Sequence, residues 1–467
     1  MRRSVFARIS IVLFCLLVAV QSGILAAEMG SAGGGWKAGT ARVDITPDSP
    51  MWMAGYAART RPAEGTLQRL WAKAVAIEDA SGERGVLVTT DLLGFPRSVS
   101  DTIRSRLQER LRLSRAQIIL NSSHTHSGPV LRDGMYHIYP VGEEEIRRIE
   151  RYTVWLEDQI GRLVERAIQQ LEPAQIRFGT GVVRFAVNRR ENQADELESA
   201  TALTGPSDHS VPVLKITGNE ENLLGVVFSY ACHATTLSGY EWSGDYPGFA
   251  MSTLEQQYPG ALALFAAGAG ADQNPLPRRS VPLARQYGRE LAAAVDRMME
   301  EPMAELHPEL RTGYEEIPLN LTAPPDTAEL NQVIADQDGY QARWAKSQLG
   351  KHARGEQFRS QYLYPVQLWR LGNQLIVALG GEVVVDYAIR LKRLFGQETL
   401  VLAYSNDVMG YIPSVRVLRE GGYEGTISQR VYGLPSPWSA DIEANIISAV
   451  LRLSGEVGIP LPEARIE

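Results

Sequence analysis

Short apolar runs alternate with longer stretches of helical spacing along almost the whole chain. Residues 72–78 and 85–90 are brief, apolar and bounded by turn formers, which predicts strands. Residues 97–113 repeat their apolar positions at helical spacing, and 116–120 read as another buried strand. A long amphipathic helix is predicted over 143–170, then strands at 176–178, 211–217 and 223–230. Residues 246–258 read as helix, 261–267 as strand and 282–300 as helix. A hairpin is expected from 363–370 and 373–379, a helix over 383–395, a strand at 399–403 and a closing helix at 439–453. The stretch 326–359 is different: polar, helical in propensity and poorly patterned for a core, it reads as an insertion or lid. With no repeat, low-complexity tract or visible linker, the pattern predicts one large α/β domain with a mixed sheet over residues 36–467.

Composition changes this picture little. Of the 467 residues 44% are apolar and 22% charged, which is ordinary for a globular chain with a full core. The net charge of −7 is spread out, with no basic stripe, which excludes nucleic acid as a partner. The N-terminus says more. Arg2, Arg3 and Arg8 precede an apolar run over 9–20 and a small-residue stretch ending at Ala26 and Ala27. That layout predicts a signal peptide over residues 1–27 and a short linker over 28–35, with a retained anchor as the competing reading. The mature chain then carries no transmembrane segment and is periplasmic or extracellular. It keeps one cysteine, Cys232, so no internal disulfide is expected. Cys232 adjoins His233, but neighbours on a strand face opposite ways, which favours a buried structural thiol over a Cys–His nucleophile.

The candidate chemistry sits where apolar runs end. His124 and His126 follow the run 116–120 in Asn121-Ser122-Ser123-His124-Thr125-His126-Ser127-Gly128-Pro129. If the extended conformation continues, the two imidazoles share a face at a strand end, as a zinc site would need. Two hydrogen-bonded histidines at a loop entrance are the other reading. His233 repeats the arrangement after 226–230. Gly380-Gly381-Glu382 brings an acid to a strand-to-helix transition, either as a ligand or as a helix N-terminal acid. Asp91, after 86–90, is a candidate to orient a ligand imidazole.

Read together, these pieces resemble the neutral/alkaline (non-lysosomal) ceramidase family. Asn121–Pro129, His233, Gly381-Glu382 and Gly410-Tyr411-Ile412-Pro413-Ser414 occur in that family's order. Asp44-Ile45-Thr46-Pro47, Met53-Ala54-Gly55-Tyr56 and Tyr423-Glu424-Gly425 extend the likeness. It covers the family's catalytic domain, without the C-terminal immunoglobulin-like domain. The resemblance implies one zinc ion held by His124, His233, Glu382 and Tyr411. It implies that His126 acts on the tetrahedral intermediate, and that Arg189 and Tyr423 hold the scissile group. Zinc so held lowers the pKa of a bound water toward ~7 and polarises an amide carbonyl. One departure stands out. The family's Gly-Asp-x-Ser-Pro turn reads Ala271-Asp272-Gln273-Asn274-Pro275 here, so Asn274 replaces the serine and can donate to an oxyanion but cannot attack. The expectation is an exported zinc-dependent amidohydrolase acting on a small-molecule or lipid N-acyl substrate, with peripheral membrane contact compatible with a lipid. The alternatives are a true ceramidase, a hydrolase of a polar N-acylated or ester substrate, and a non-catalytic secreted binding protein.

Overall fold

Strand pairing builds two main sheets and three short two-stranded ones in the computed structural model, which describes residues 34–192 and 202–460. The predicted signal segment and residues 28–33 of the linker lie outside the described residues. The larger sheet contains β1 (Trp36–Asp44), β2 (Trp71–Glu78), β3 (Arg84–Thr90), β4 (Ile118–Ser122), β5 (Glu172–Val182), β6 (Ser210–Thr217), β7 (Leu223–Tyr230) and β8 (Leu262–Ala267). Its order is β8-β7-β6-β5-β1-β2-β3-β4, and Ala304–Glu305 pairs beside β5. Neighbours run antiparallel except two parallel pairs, β7 with β8 and β3 with β4. A smaller sheet follows β9 (Leu310–Asn320), β10 (Gln361–Leu371), β11 (Gln374–Leu379) and β12 (Leu400–Leu402) in that order, with β11 and β12 parallel.

Strand alternation explains how the layers stack. One face of the larger sheet contributes Ile77, Leu87, Ile119, Ile216 and Leu264 to a core shared with Trp369, Leu371, Ile376 and Leu402 of the smaller sheet. Residues one position away, among them Ala76, Val86, Ile118 and Leu120, turn to the opposite face and share a core with helices α1 (Arg97–Leu111) and α2 (Glu143–Gln169). Helices α3 (Asp245–Gln257) and α4 (Val281–Glu300) cover the part of this sheet nearer β8. The remaining helices are α5 (Thr327–Asp336), α6 (Gly339–Ala353), α7 (Val385–Phe395), α8 (Val415–Glu420) and α9 (Ile442–Glu456). Helix α9 packs on β9 and β10, which completes a helix-sheet-sheet-helix stack.

The mixed sheet is thus present, with a second sheet laid against it. Strands β1 and β9 escape the hydrophobic pattern, since β9 carries Gly313, two glutamates and Pro318 among its apolar positions. Residues 115–117 form a tight 3₁₀ turn closed by Ser114 and Gln117, so β4 begins at Ile118 instead of at 116. The polar stretch 326–359 forms α5 and α6, started by an Asp326–Glu329 capping box and held by a small core of Leu330, Trp344 and Ala345. It is pinned to its surroundings: Trp344 Nε1 donates to the Leu434 carbonyl at 2.9 Å and Arg343 Nε to the His137 carbonyl at 3.0 Å.

One buried side chain joins the strand ends. Asn121 accepts from the Ala267 N–H at 2.8 Å and donates to the Ala403 carbonyl at 2.7 Å and Ser405 Oγ at 3.1 Å. Asn406 answers it, bonding the Leu120 N–H through Oδ1 and the Leu120 carbonyl through its own N–H. The C-terminal ends of β4, β8 and β12 therefore meet, although β4 and β8 lie at opposite ends of the sheet order.

Candidate metal centre

The junction delivers its side chains through the segments that follow these strands. After Ser122 the chain does not stay extended: His124 has φ +58°, in the left-handed region. The expectation that strand alternation brings the imidazoles together is therefore corrected. A turn at His124 does it, and the Nε2 atoms of His124 and His126 stand 3.3 Å apart. Gly55 makes room for this. At its φ of +107° a Cβ would fall 2.4 Å from His126 Cγ, so only glycine fits.

Two imidazoles are fixed in one tautomer. His124 Nδ1 bonds the Leu93 carbonyl at 2.6 Å, and His233 Nδ1 bonds the Gly270 carbonyl at 3.3 Å. A carbonyl only accepts, so each Nδ1 carries the proton and each Nε2 keeps its lone pair. Asp91 does not take the orienting role expected of it. Its Oδ2 accepts from the Trp71 N–H at 2.9 Å, and the Leu93 carbonyl does the orienting. His126 differs again: its Nδ1 is buried without a partner among the described residues.

Glu382 faces both lone pairs, with Oε2 3.1 Å from His124 Nε2 and 3.1 Å from His233 Nε2. No N–H points at it, and Oε2 has no hydrogen-bond partner among the described residues although it is buried. Its Oε1 accepts from Tyr432 Oη at 2.6 Å, a contact that no sequence motif signals. Burial opposes ionisation of Glu382, and only a positive charge or a donated proton set against it on the His124 and His233 side holds the carboxyl below the usual range. Burial also lowers His233 to about 4, aided by the charge of Arg189, so it is neutral at pH 7. The helix-acid reading of Glu382 fails on position, since α7 begins three residues later at Val385. Gly381, at φ +72°, would place a Cβ 2.7 Å from the Gly410 carbonyl, which explains the glycine before the acid.

Glu382–Val383 pairs in parallel with Tyr411–Ile412, which sets Tyr411 beside Glu382. Tyr411 Oη lies 3.4 Å from His233 Nε2 and accepts from Arg189 Nη2 at 3.0 Å. Burial raises the Tyr411 hydroxyl, and Arg189 pulls against that rise. Arg189 is itself fixed through Nε to Glu424 at 2.8 Å. Tyr423, 41% exposed, stands edge-on to Tyr411 with ring centroids 5.4 Å apart, at the outer side of the group. Asn274 belongs to the strand Gln273–Pro275, paired antiparallel with Ala186–Asn188, and its Oδ1 accepts from Thr235 Oγ at 3.2 Å. The same ribbon leads directly into Arg189. Seven of the eight predicted site residues thus cluster, while Asn274 is tied in through Thr235, two residues after His233. Cys232 is buried and free, as expected.

The donor set fits a cation. The ring nitrogens of His124, His126 and His233 lie within 4.8 Å of one another and form a possible three-histidine metal site. Two fixed imidazole lone pairs and an unanswered buried carboxylate oxygen converge there, which is costly unless a positive charge joins them. A cavity of about 670 Å³ adjoins the group, bounded by Leu93 and Tyr432 and, from the polar insertion, by Gln348, Lys351 and Phe358.

Comparison with known proteins agrees with this architecture. The family model described as "Neutral/alkaline non-lysosomal ceramidase, N-terminal" matches residues 36–269. The neutral ceramidase of Pseudomonas aeruginosa is 28% identical over 280 residues, 57% of this chain and 40% of that relative. The neutral ceramidase of Drosophila melanogaster is 26% identical over 236 residues, 48% of this chain and 32% of the relative. Those sequence matches span less than half of the relatives' own length. The crystal structure of the P. aeruginosa neutral ceramidase superposes with a TM-score of 0.69 at 20% identity, covering 93% of this chain and 76% of that one. The fold likeness therefore covers more of the chain than residues 36–269, which the family model matches. The chain belongs to the neutral/alkaline non-lysosomal ceramidase family.

Proposed function

We propose that this chain is an exported zinc-dependent hydrolase that cleaves an N-acyl amide bond. The observation that carries the reading is the convergence of two Nδ1-protonated imidazoles on the partnerless Glu382 Oε2, at 3.1 Å each. His124, His233, Glu382 and Tyr411 would hold the ion. Zinc in such a set supplies a Lewis acid and an activated water near neutral pH. The chain's own groups do the rest. Arg189, clamped by Glu424 and Tyr411, and Tyr423 present fixed donors to the developing oxyanion, which preorganisation makes effective. His126 moves protons: unlike the other two imidazoles it has no carbonyl at Nδ1, so its tautomer is free to change. Asn274 contributes an amide donor where a serine hydroxyl would stand. Ceramide, to which the relatives' name points, is an N-acyl amide that this chemistry would cleave. Asn274 favours a second reading, in which the N-acyl substrate is more polar. All four ligating residues are in place, which argues against a binding protein that has lost catalysis.

The test begins with metal analysis of the purified protein, for which about one zinc per chain is expected. His124→Ala and His233→Ala should lose the metal and abolish hydrolysis of a fluorescent short-chain ceramide or a polar N-acyl amine. Absence of bound metal, with both variants as thermally stable as the parent, sinks the zinc reading. Export is checked by sequencing the N-terminus of protein recovered outside the cytoplasm; cleavage near Ala27 is expected.

A further inference from the structure

Beside the centre, on the His126 and Asn274 side, three arginines carry charge that no acid among the described residues answers. Arg278 lies with Nη1 3.5 Å from Thr235 Oγ, and that hydroxyl donates to Asn274 Oδ1 at 3.2 Å. Arg279 Nη1 donates to Tyr56 Oη at 2.8 Å and its guanidinium sits 5.1 Å from the centre of the Tyr56 ring. The Tyr56 ring in turn lies 4.6 Å from that of His126. Arg59, 4% exposed, donates to the carbonyls of His126 and Gly239 at 2.7 and 2.8 Å. Among the described residues none of the three has a carboxylate within 4.0 Å, whereas Arg189, Arg190 and Arg416 all do.

The nearby acids are already engaged. Glu424 bonds Arg189 and Arg190. Asp245 accepts from the backbone N–H groups of Thr236, Leu237 and Tyr246. Asp272 accepts from the Val385 N–H and from Asn188 Nδ2. A surface arginine kept for solubility needs none of this, yet Arg279 is held at φ +86°, an unfavourable conformation for a residue with a side chain. Its N–H bonds the Thr236 carbonyl at 2.6 Å, which fixes it there. The contact from Arg278 also settles the amide of Asn274. With the guanidinium donating to Thr235 Oγ, the hydroxyl proton is left for Asn274 Oδ1, so Asn274 keeps both N–H groups for another acceptor.

We propose that Arg278 and Arg279, with the Asn274 amide, receive an anionic group placed next to the scissile bond. The substrate class is then an N-acyl amine bearing a carboxylate, sulfonate or phosphate, not the neutral ceramide of the relatives. Guanidinium groups recognise such oxyanions through paired N–H donors, and an amide adds a third. A neutral substrate would leave Arg278 and Arg279 unanswered when it covered them. This inference rests on the hydrolase reading, and the experiment separates the two.

Initial rates are measured with the zinc-loaded full chain on N-dodecanoylglycine, N-dodecanoyltaurine, the neutral N-dodecanoylglycinamide and a fluorescent ceramide. The carboxylate or the sulfonate should exceed the glycinamide by at least tenfold in kcat/KM, and the better of the two names the anion. The double variant Arg278→Gln, Arg279→Gln should bring that ratio to about one, and the corresponding double lysine variant should restore part of it. Binding of N-octanoylglycine against N-octanoylglycinamide by calorimetry gives a readout free of turnover; the anion should bind at least tenfold tighter and lose this margin in the glutamine variant. Arginine-dependent anion binding without hydrolysis of any substrate overturns the hydrolase reading alone. A ratio near one in the parent protein, or one that survives the glutamine pair, overturns the anion proposal.

Discussion

Asn121 is the side chain through which the strand ends of both sheets meet, so its truncation to alanine should damage stability and metal binding together. Asn121→Ala leaves the Ala267 N–H without the 2.8 Å acceptor it had, and leaves the Ala403 carbonyl only its 2.9 Å bond from Ser405 Oγ in place of two donors. Both groups sit where water does not reach, since Ala267 is 1% and Ala403 0% exposed. A buried polar group stripped of its partner costs about 1–3 kcal/mol, and here that group is the Ala267 N–H. A loss of about 2 kcal/mol is a substantial part of the roughly 5–15 kcal/mol that holds an ordinary domain folded. Urea unfolding of metal-free protein, followed by tryptophan fluorescence, reads this as a lowered midpoint at unchanged slope. The functional consequence follows from position: His124 lies three residues beyond Asn121, while Glu382 lies beyond β11 in the other sheet. Loosening the junction separates ligands carried by different sheets, so zinc affinity must fall as well. Asn121→Asp provides a control of equal shape. It removes the donor to Ala403 and puts a charge in its place, and should be no better than alanine. A stability loss under about 1 kcal/mol, or a full loss with zinc affinity unchanged, refutes the reasoning.

Two further outcomes are expected. Tyr432→Phe removes the 2.6 Å donor to Glu382 Oε1 and should weaken zinc binding by about 10–100-fold, read by chelator competition; unchanged affinity would remove Tyr432 from the supporting shell. Burial keeps His233, lowered to about 4, and His126, also lowered well below its ordinary value, neutral in the fold. Each therefore withdraws stability from the metal-free protein as pH falls from about 6.5 toward 4, because the unfolded chain takes up the proton. The slope is about 1.4 kcal/mol per pH unit for each such proton, and His233→Gln should flatten it. Asp91 and Asp272, raised to about 6, and Asp407, raised to about 7, give the opposite trend, so the difference between the parent and His233→Gln isolates the His233 share.

What the sequence revealed of the centre, and what it hid, have a physical basis. An apolar run ending in a polar residue and small turn formers marks a strand end, and that signature located His124, His233 and Glu382. It could not show the left-handed turn at His124, because the same residues would also suit an extended chain. Asp91 fits the residue type that orients imidazoles, but the Leu93 carbonyl does the work, and a backbone carbonyl has no signature in any sequence. Tyr432 reaches Glu382 across 50 positions, which no local pattern encodes. Strand β9 was illegible because it alternates apolar residues with glutamates, glycine and proline, and with it went the second sheet.

The location of the centre follows from topology more than from any one motif. In two largely antiparallel sheets there are three parallel pairs, β3 with β4, β7 with β8 and β11 with β12. Parallel neighbours finish at the same end, and each must return by a crossover, so each pair leaves two adjacent segments free of hairpin duty. Leu93 and His124 follow the first pair, His233 and Asn274 the second, Glu382 and Tyr411 the third. Asn121 binds the ends of all three pairs into one place, through β4, β8 and the segment after β12. The first and second pairs each give one segment with a proposed ligand and one supporting or substrate-facing segment, while the third gives Glu382 and Tyr411, both proposed ligands. Asn274 stands on a segment that carries neither an imidazole nor the carboxylate, so a change of residue there leaves the proposed metal donors in place. That is where this chain departs from the family turn, and where Arg278 and Arg279 stand.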